Sequence, residues 1–242
     1  MSALLRAELL KLRTTRTFVA LVGTALVLSL AIVVLVVLLS DDLTEADARE
    51  LFTTDLTPLF ILVLGIMGFA GEWRHRTITG TILAAPERLR LVIAKVLAYG
   101  AAGALLSLIV TLSIMAVGSL LLSVTDKSTV DISDLADVLW RNLLVAALLG
   151  ALGVCIGGAV RNQITAIVGV LVLSFVVEPI LFGVAPEVGK YAPFSATNGI
   201  LGFIPFSDEV PLSEVTAVLV MLGWIGLFFV ATAQLLRHRD LV

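Results

Sequence analysis

Few side chains in this sequence are of the types that carry out chemistry, and their spacing excludes most kinds of active site. The 242 residues include two histidines, His75 and His238, and one cysteine, Cys155. A structural zinc site needs four nitrogen or sulfur ligands close together, and a disulfide needs two cysteines. No His-Glu-x-x-His motif and no nucleophile motif is present. We therefore predict no catalytic residue and no metal site, and we interpret Cys155 as a small buried apolar residue.

The stretch 183–191 has a distant likeness to a phosphate-binding loop. Five residues rather than four separate Gly183 from Gly189, and Tyr191 stands where a serine or threonine would hold magnesium. We therefore predict that the chain neither hydrolyses nucleotide nor binds a cofactor by itself.

Glu178 is a charged residue inside an apolar run, at 164–182, and Pro179 follows it. It lies about 14 residues into that run, or about 21 Å along a helix. An ionisable group at such a depth costs at least a few kcal/mol, so it indicates a functional role. Pro179 removes a backbone donor and would kink or end the helix. The alternative is that the helix ends at Pro179 and leaves Glu178 in water.

The stretch 71–95 is the longest basic segment, and it lies between two apolar runs. It carries five Lys or Arg residues and two Glu residues, with small hydroxylated residues at its centre. This composition favours a surface that binds a partner. The alternative is a basic loop that contacts anionic lipid headgroups, at about 1 kcal/mol per Lys or Arg. The residues at the centre of the stretch would be poor lipid anchors, which favours binding of a partner over contact with lipid. These residues are Thr77, Thr79, Gly80 and Thr81.

Composition places these groups in a membrane protein. The chain is 59% hydrophobic and 14% charged, with a mean hydropathy of +1.10. Six apolar runs reach or approach the roughly 20 residues that a span requires. They are 17–40, 56–70, 98–123, 139–160, 164–182 and 215–236. The runs are continuous rather than alternating, so we predict an all-α polytopic membrane protein with six transmembrane helices, forming one domain over 1–242.

Basic residues indicate the orientation of the six spans. If the N-terminus is cytoplasmic, the outer side of the membrane holds only Arg49, Lys127, Arg141 and Lys190. The remaining 12 of the 16 Lys and Arg residues are then cytoplasmic, as the positive-inside rule prefers. Both termini are then cytoplasmic. The run 17–40 is longer than the apolar core of a signal peptide and no cleavage site follows it, so we predict a retained first span.

Three further segments have recognisable patterns. Residues 1–16 alternate leucines with basic residues at helical spacing, which predicts an interfacial helix or, alternatively, a solvated basic tail. Residues 187–212 are too apolar for a free loop but contain prolines, which predicts a short, semi-buried, re-entrant-like segment on the outer side. Gly153-x-x-x-Gly157 is a close-packing signal, and we expect it to serve packing within the chain.

The basic stretch resembles a known family. Its pattern of Gly71, Glu72, Arg74, Thr77, Thr81, Leu83, Pro86, Arg88 and Lys95 is similar to the loop between the second and third spans of ABC-2-type permeases. These proteins are the membrane subunits of bacterial ABC exporters. Residues 7–13, Ala-Glu-Leu-Leu-Lys-Leu-Arg, resemble the usual start of such chains. The departure is Arg76, where relatives often have glycine before the first threonine of the loop.

The resemblance implies a function and partners. In that family the loop, here 72–95, forms a cytoplasmic coupling helix that docks into a separate cytosolic ATP-binding subunit, which holds the ATP and magnesium. Two permeases, identical or homologous, would enclose an apolar substrate cavity in the bacterial plasma membrane, in contact with lipid and with no nucleic acid. The residues expected to contact the ATPase are Glu72, Arg74, Arg76, Thr77, Ile78, Gly80, Thr81, Ile82, Leu83, Pro86 and Arg88.

The same loop is compatible with a second function. A membrane scaffold or sensor subunit could recruit a cytosolic partner through 72–95 without moving a substrate. For an exporter, the sequence is compatible with lipid, peptide, drug or ion as the substrate.

Overall fold

A computed structural model describes residues 2–40, 43–75, 77, 88–128, 130–203 and 212–237. Over these ranges the chain is helical and contains no β-strand. A π-helical turn, Leu173–Val177, joins two of the helices. The helices are α1 Ser2–Thr14, α2 Arg16–Leu39, α3 Glu45–Leu51, α4 Thr57–Arg74, α5 Arg88–Val124, α6 Ile132–Val160, α7 Gln163–Val172, α8 Glu178–Val184, α9 Pro186–Gly189, α10 Pro193–Leu201 and α11 Glu214–Arg237.

Within the described residues, five helical stretches are long and apolar enough to cross a membrane. They match five of the six predicted segments, and the all-α polytopic membrane fold is confirmed. The five stretches are Arg16–Leu39, Arg88–Val124, Ile132–Val160, Gln163–Val184 and Glu214–Leu236.

The remaining predicted span, 56–70, corresponds to α4. This helix has 18 residues, so it is about 27 Å long, and its last turn carries Glu72 and Arg74. Its apolar part is therefore shorter than a hydrocarbon core of about 30 Å, and α4 is not among the five stretches. A sixth span stays a prediction.

The centre of the bundle is a close contact between α4 and α6. A Cβ atom at Gly153 would lie 2.2 Å from the carbonyl oxygen of Leu62, and one at Gly157 would lie 2.6 Å from that of Ile66. Only glycine lets the two backbones approach this closely. The predicted packing role of Gly153-x-x-x-Gly157 within the chain is confirmed.

The N-terminal residues form the predicted helix, α1, and one of its faces packs on the bundle. Leu12 is buried, and Leu4 and Leu5 pack partly against the same core cluster, whereas Leu9 and Leu10 are exposed. This division fits a helix with one face on protein and another free for lipid. Its position in a membrane interface stays a prediction.

The segment predicted to be semi-buried, 187–212, contains α10 and the end of α9. Ala196 and Ile200 of α10 are fully buried against Ala217 and Met221 of α11. Pro193 begins α10 rather than interrupting it, since it lies in the first turn, where no backbone donor is needed, and Pro186 begins α9 in the same way just before the segment. A re-entrant depth in the membrane stays a prediction, and 204–211 lie outside the described residues.

Candidate functional site

A buried ion-pair cluster lies at the end of the bundle where α4 ends and α5 begins, which we call the basic end because Arg74, Arg88 and Arg161 also lie there. Lys95 of α5 has no exposed surface. Its ammonium donates to Glu8 Oε2 at 2.9 Å, to Glu72 Oε1 at 2.7 Å and to the carbonyl of Gly68 at 3.2 Å. The three donor positions of the ammonium are therefore all used.

Lys11 completes this cluster from α1. Its ammonium lies 2.5 Å from Glu72 Oε1 and 3.5 Å from Glu8 Oε1. Burial would lower the pKa of Lys11, but the hydrogen bond to Glu72 and the charges of both carboxylates outweigh that effect and raise its pKa. Two lysines and two glutamates leave the cluster neutral, which makes its burial tolerable.

The cluster joins three helices that are far apart in the sequence. Glu8 and Lys11 belong to α1, Glu72 to the last turn of α4, and Lys95 lies seven residues into α5. Sequence reasoning assigned Glu72 to a surface contact and missed the cluster. The available signal was that Lys95 falls within an apolar helix, where a cation needs a carboxylate partner.

The opposite end of the bundle holds Asp47, Asp126 and Asp134, and we call it the acidic end. Two buried carboxylates, Glu178 and Asp55, lie nearer this end. Glu178 has 1% of its surface exposed. Its Oε1 accepts from the backbone N–H of Phe194 at 3.2 Å, and its Oε2 accepts from the N–H and hydroxyl of Ser195 at 2.6 and 3.1 Å. The carboxylate thus caps the N-terminus of α10, where unpaired N–H groups favour an anion.

Pro179 does not end the helix that carries Glu178. The N–H of Glu178 bonds to the carbonyl of Leu173, five residues back, and α8 continues to Val184. The wide turn precedes the proline, and Pro179 occupies the first turn of α8, where its missing donor is tolerated. The alternative in which Glu178 is solvated at a helix end is therefore wrong.

Glu178 lines a cavity of about 390 Å³ together with Asp55. Asp55 is buried and accepts from the N–H of Thr57 at 2.8 Å, the hydroxyl of Ser107 at 2.5 Å and the hydroxyl of Thr111 at 3.1 Å. The first contact caps the start of α4, and the other two hold Asp55 against α5. Apolar residues make up most of the remaining wall: Leu56, Pro58, Leu59, Val145, Leu149, Phe175, Pro179, Phe182, Phe194 and Leu201.

A larger cavity of about 580 Å³ lies beside the ion-pair cluster at the basic end. Lys11, Glu72, Arg74, His75 and Thr77 line part of it. Glu72 Oε2 is buried there without a hydrogen-bond partner among the described residues. This cavity is adjacent to the segment that sequence analysis predicted to bind a partner.

Comparison with known families decides the class of protein. A model of the ABC-2 family transporter proteins matches residues 4–177, well over half of the chain. The chain belongs to the ABC-2 transporter family. Among curated proteins, none matches it. The match includes α1, α4 and the start of α5, so all four residues of the ion-pair cluster fall within it.

This ABC-2 chain places the predicted ATPase contacts in different settings. Arg74 and Thr77 are exposed, whereas Glu72 is buried in the ion-pair cluster. The guanidinium of Arg88 donates to the carbonyl of Leu236 at the end of α11. The other predicted contacts lie outside the described residues: Arg76, Ile78, Gly80, Thr81, Ile82, Leu83 and Pro86.

The end of α11 binds a second arginine. Arg161 donates to the carbonyl of Leu235 at 2.8 Å, and its guanidinium lies 4.6 Å from the ring centroid of Trp73. Cations at the C-terminus of a helix satisfy its last carbonyls and its dipole. The ABC-2 chain thus ties the end of α11 both to the start of α5 and to the end of α6.

At the acidic end, the four basic residues that sequence analysis placed outside the cell all have partners. Arg49 lies 2.8 Å from Asp137, and Arg141 binds Asp137, Glu214 and the carbonyl of Ile200. Lys127 donates to the carbonyls of Val37 and Ser40 at the end of α2, and Lys190 pairs with Glu187. The contacts of Arg49, Lys127 and Arg141 fasten the ends of different helices to one another, whereas the pair of Lys190 with Glu187 lies within one turn.

Proposed function

We propose that this chain is the permease subunit of an ATP-driven exporter, coupled through 72–95 to a separate cytosolic ATP-binding subunit. Membership of the ABC-2 family supports a membrane subunit of a transporter. The observation that carries the coupling proposal is the buried cluster of Glu8, Lys11, Glu72 and Lys95. It fixes the two helices from which the segment leaves and to which it returns.

The cluster would turn a force on the segment into movement of helices. Glu72 and Lys95, the two end residues of the segment, join α4 to α5, and Glu8 joins α1 to Lys95. A loop between unconnected helices would absorb a push by bending. Helices joined by buried ion pairs move together, because separating them would leave unpaired charges in a low-dielectric site.

Helix α5 would carry this movement toward the cavity that Glu178 lines. It has 37 residues, so it is about 55 Å long. It begins at Arg88, within the coupling segment, and its Ser107 and Thr111 hold Asp55 at the wall of that cavity. One rigid element thus contacts both the segment and the cavity.

These positions divide the predicted contacts by role. Glu72, being buried, would position the start of the segment, and Arg88 would anchor its end to α11. The exposed Arg74 and Thr77 would contact the ATP-binding subunit directly, together with Arg76, Ile78, Gly80, Thr81, Ile82, Leu83 and Pro86. ATP and magnesium would be bound by that subunit in the bacterial cytoplasm, where both termini of this chain would also lie.

A second permease copy or a homologue would complete the exporter. In the helical stretches Gln163–Val184 and Glu214–Leu236, only 11% and 17% of the residues of an apolar 18-residue window are buried within this chain. Their exposed apolar surface would face lipid or the second permease.

The test is to express the chain with a candidate cytosolic ATP-binding subunit, the first choice being one that a neighbouring gene encodes, and to measure co-purification and ATP hydrolysis. Arg76→Ala and Gly80→Trp should each weaken retention of the ATPase by about tenfold, as loss of an interface anchor does. Arg13→Ala is the matched control, because Arg13 is an exposed basic residue of α1. The control should retain the ATPase at the wild-type level.

Two outcomes would contradict the proposal. If both variants bind and stimulate the ATPase normally, 72–95 is only a basic loop at the membrane. If the ATPase binds but vesicles containing the complex show no ATP-driven efflux of any tested substrate class, a scaffold that recruits a partner replaces the exporter.

A further inference from the structure

The cavity that Glu178 and Asp55 line has the size and apolar wall of a small-molecule site. Its volume of about 390 Å³ falls in the usual range for ligand pockets, about 300–1,000 Å³. Three phenylalanines contribute to the wall, Phe175, Phe182 and Phe194. Phe175 is 63% exposed, so the cavity borders the apolar outer surface of the Gln163–Val184 helix.

The two carboxyl groups of this cavity have no cationic partner among the described residues. No lysine, arginine or histidine is among the described residues that line it. Glu178 and Asp55 form no ion pair within the described part of the chain, and their hydrogen-bond donors are neutral amides and hydroxyls. This contrasts with the cluster at the basic end, where each glutamate has a lysine.

The hydrogen bonds of Glu178 fit an ionised carboxylate. Both of its oxygens accept from backbone N–H groups, of Phe194 and Ser195, and such groups cannot reverse to accept a proton. A protonated carboxyl would accept these bonds more weakly, and its own proton would have to be donated to the hydroxyl of Ser195. A buried carboxylate with no counter-ion is costly, and a cation supplied by a ligand would remove that cost.

We propose that this cavity binds a lipophilic organic cation, so that the substrate class is a hydrophobic molecule with one positive charge. The phenylalanine faces attract a cation, and the apolar wall accepts the rest of the molecule. A bare metal ion fits poorly, because hard cations require six or more oxygen ligands at short range. An anion of the same shape would meet two carboxylates and be repelled.

The experiment compares ions of equal shape and opposite charge. Tetraphenylphosphonium and tetraphenylborate are offered to the purified full-length chain in a neutral detergent by equilibrium dialysis, with protein-free detergent as the blank. The cation should bind saturably at about one per chain, and the anion should bind at least about tenfold more weakly. Equal saturable binding of both ions would overturn the proposal.

Single substitutions locate the binding. Glu178→Gln and Asp55→Asn should each weaken binding of the cation by about tenfold while narrowing the difference between the two ions. Glu187→Gln is the matched control, because Glu187 is an exposed carboxylate that pairs with Lys190 outside the cavity. If Glu178→Gln unfolds the protein through loss of the α10 cap, Asp55→Asn and Phe175→Leu still decide the result. Wild-type affinity in these two variants would overturn the proposal.

The inference that the bound cation is a substrate rests on the proposed function, whereas the inference that the cavity binds a lipophilic cation does not. The dialysis needs neither ATP nor the ATP-binding subunit. Failure of coupling in the co-purification test would therefore leave the binding result intact, and absence of selective cation binding would leave the exporter without its proposed substrate class.

Discussion

Lys95 is the residue on which the basic end depends most. It is fully enclosed, and its ammonium meets two carboxylates and a carbonyl. A pair of surface charges contributes little to stability because water and salt compete for both partners. Here water has no access to the ammonium, so removal of the cation would leave Glu8 and Glu72 with only the half-exposed Lys11 as a partner.

We expect Lys95→Met to destabilise the protein by about 3–5 kcal/mol, the cost of leaving buried charges unpaired. The free energy or midpoint of unfolding of the detergent-solubilised protein measures this. Lys190→Met is the control, since Lys190 pairs with the exposed Glu187 and should cost under about 1 kcal/mol. Equal small losses in both variants would show that the cluster contributes no more than a surface pair.

At this scale, the sequence predicted some sites and could not predict others. Glu178 was identified because it is an isolated charge in an apolar run. The partners of Lys95 could not be identified, because Glu8 and Glu72 lie 87 and 23 residues away along the chain and several other acids were equally available. Pairing of this kind is decided by the packing of helices, which residue type and local spacing do not specify.

Among the helical elements, α4 and α6 are packed closely enough for their backbones to touch. The contact depends on missing side chains: Gly65 of α4 faces Gly150 of α6 so closely that a Cβ at Gly65 would lie 2.8 Å from the carbonyl of Gly150. Without a hydrophobic driving force inside lipid, helices associate through such close van der Waals contact. The sequence predicted the motif at Gly153 and Gly157, although not that α4 is its partner.

We expect Gly153→Ala to lower the stability of the protein by about 1–3 kcal/mol, because the new methyl group would overlap the backbone of Leu62. Gly169→Ala is the matched control in α7. Apart from its two chain neighbours and the backbone of its own helix, no described heavy atom lies within 4 Å of a Cβ there, so alanine should be neutral or stabilising by up to about 1 kcal/mol. Thermal unfolding of the two variants side by side tests this. A tolerated Gly153→Ala with a harmful Gly169→Ala would contradict the packing.

The whole molecule has two ends that differ in charge, and the proposed topology assigns them to opposite sides of a membrane. The helical class followed from composition, and five apolar runs became candidate spans. The bounds of α4 could not be predicted from the length of its apolar run. The helix extends beyond that run to include Glu72, whose charge is paired with Lys95, and a count of apolar residues does not detect this pairing. The depth of a helix in a membrane likewise depends on the helices packed against it, and not only on the length of its own apolar run.

We predict that single cysteines at Glu45 and Val130 are labelled by an impermeant thiol reagent on intact cells, and that those at Gly80 and Asp240 are labelled only after permeabilisation. Cys155 is the single native cysteine and is buried, so Cys155→Ala gives a cysteine-free background and serves as the blank. Labelling at position 80 in intact cells would invert the orientation and remove the cytosolic contact assigned to 72–95.

At the acidic end, the basic side chains are all engaged by neighbours, while Glu45, Asp47 and Asp134 have no ion pair among the described residues. Such a surface gathers counter-ions, hydronium included, in a layer about 8 Å thick at physiological ionic strength. The water there is consequently more acidic than the bulk solution that an electrode reports. Added salt closes this gap, so two buffers of equal pH and different ionic strength present the acidic end with different proton activities.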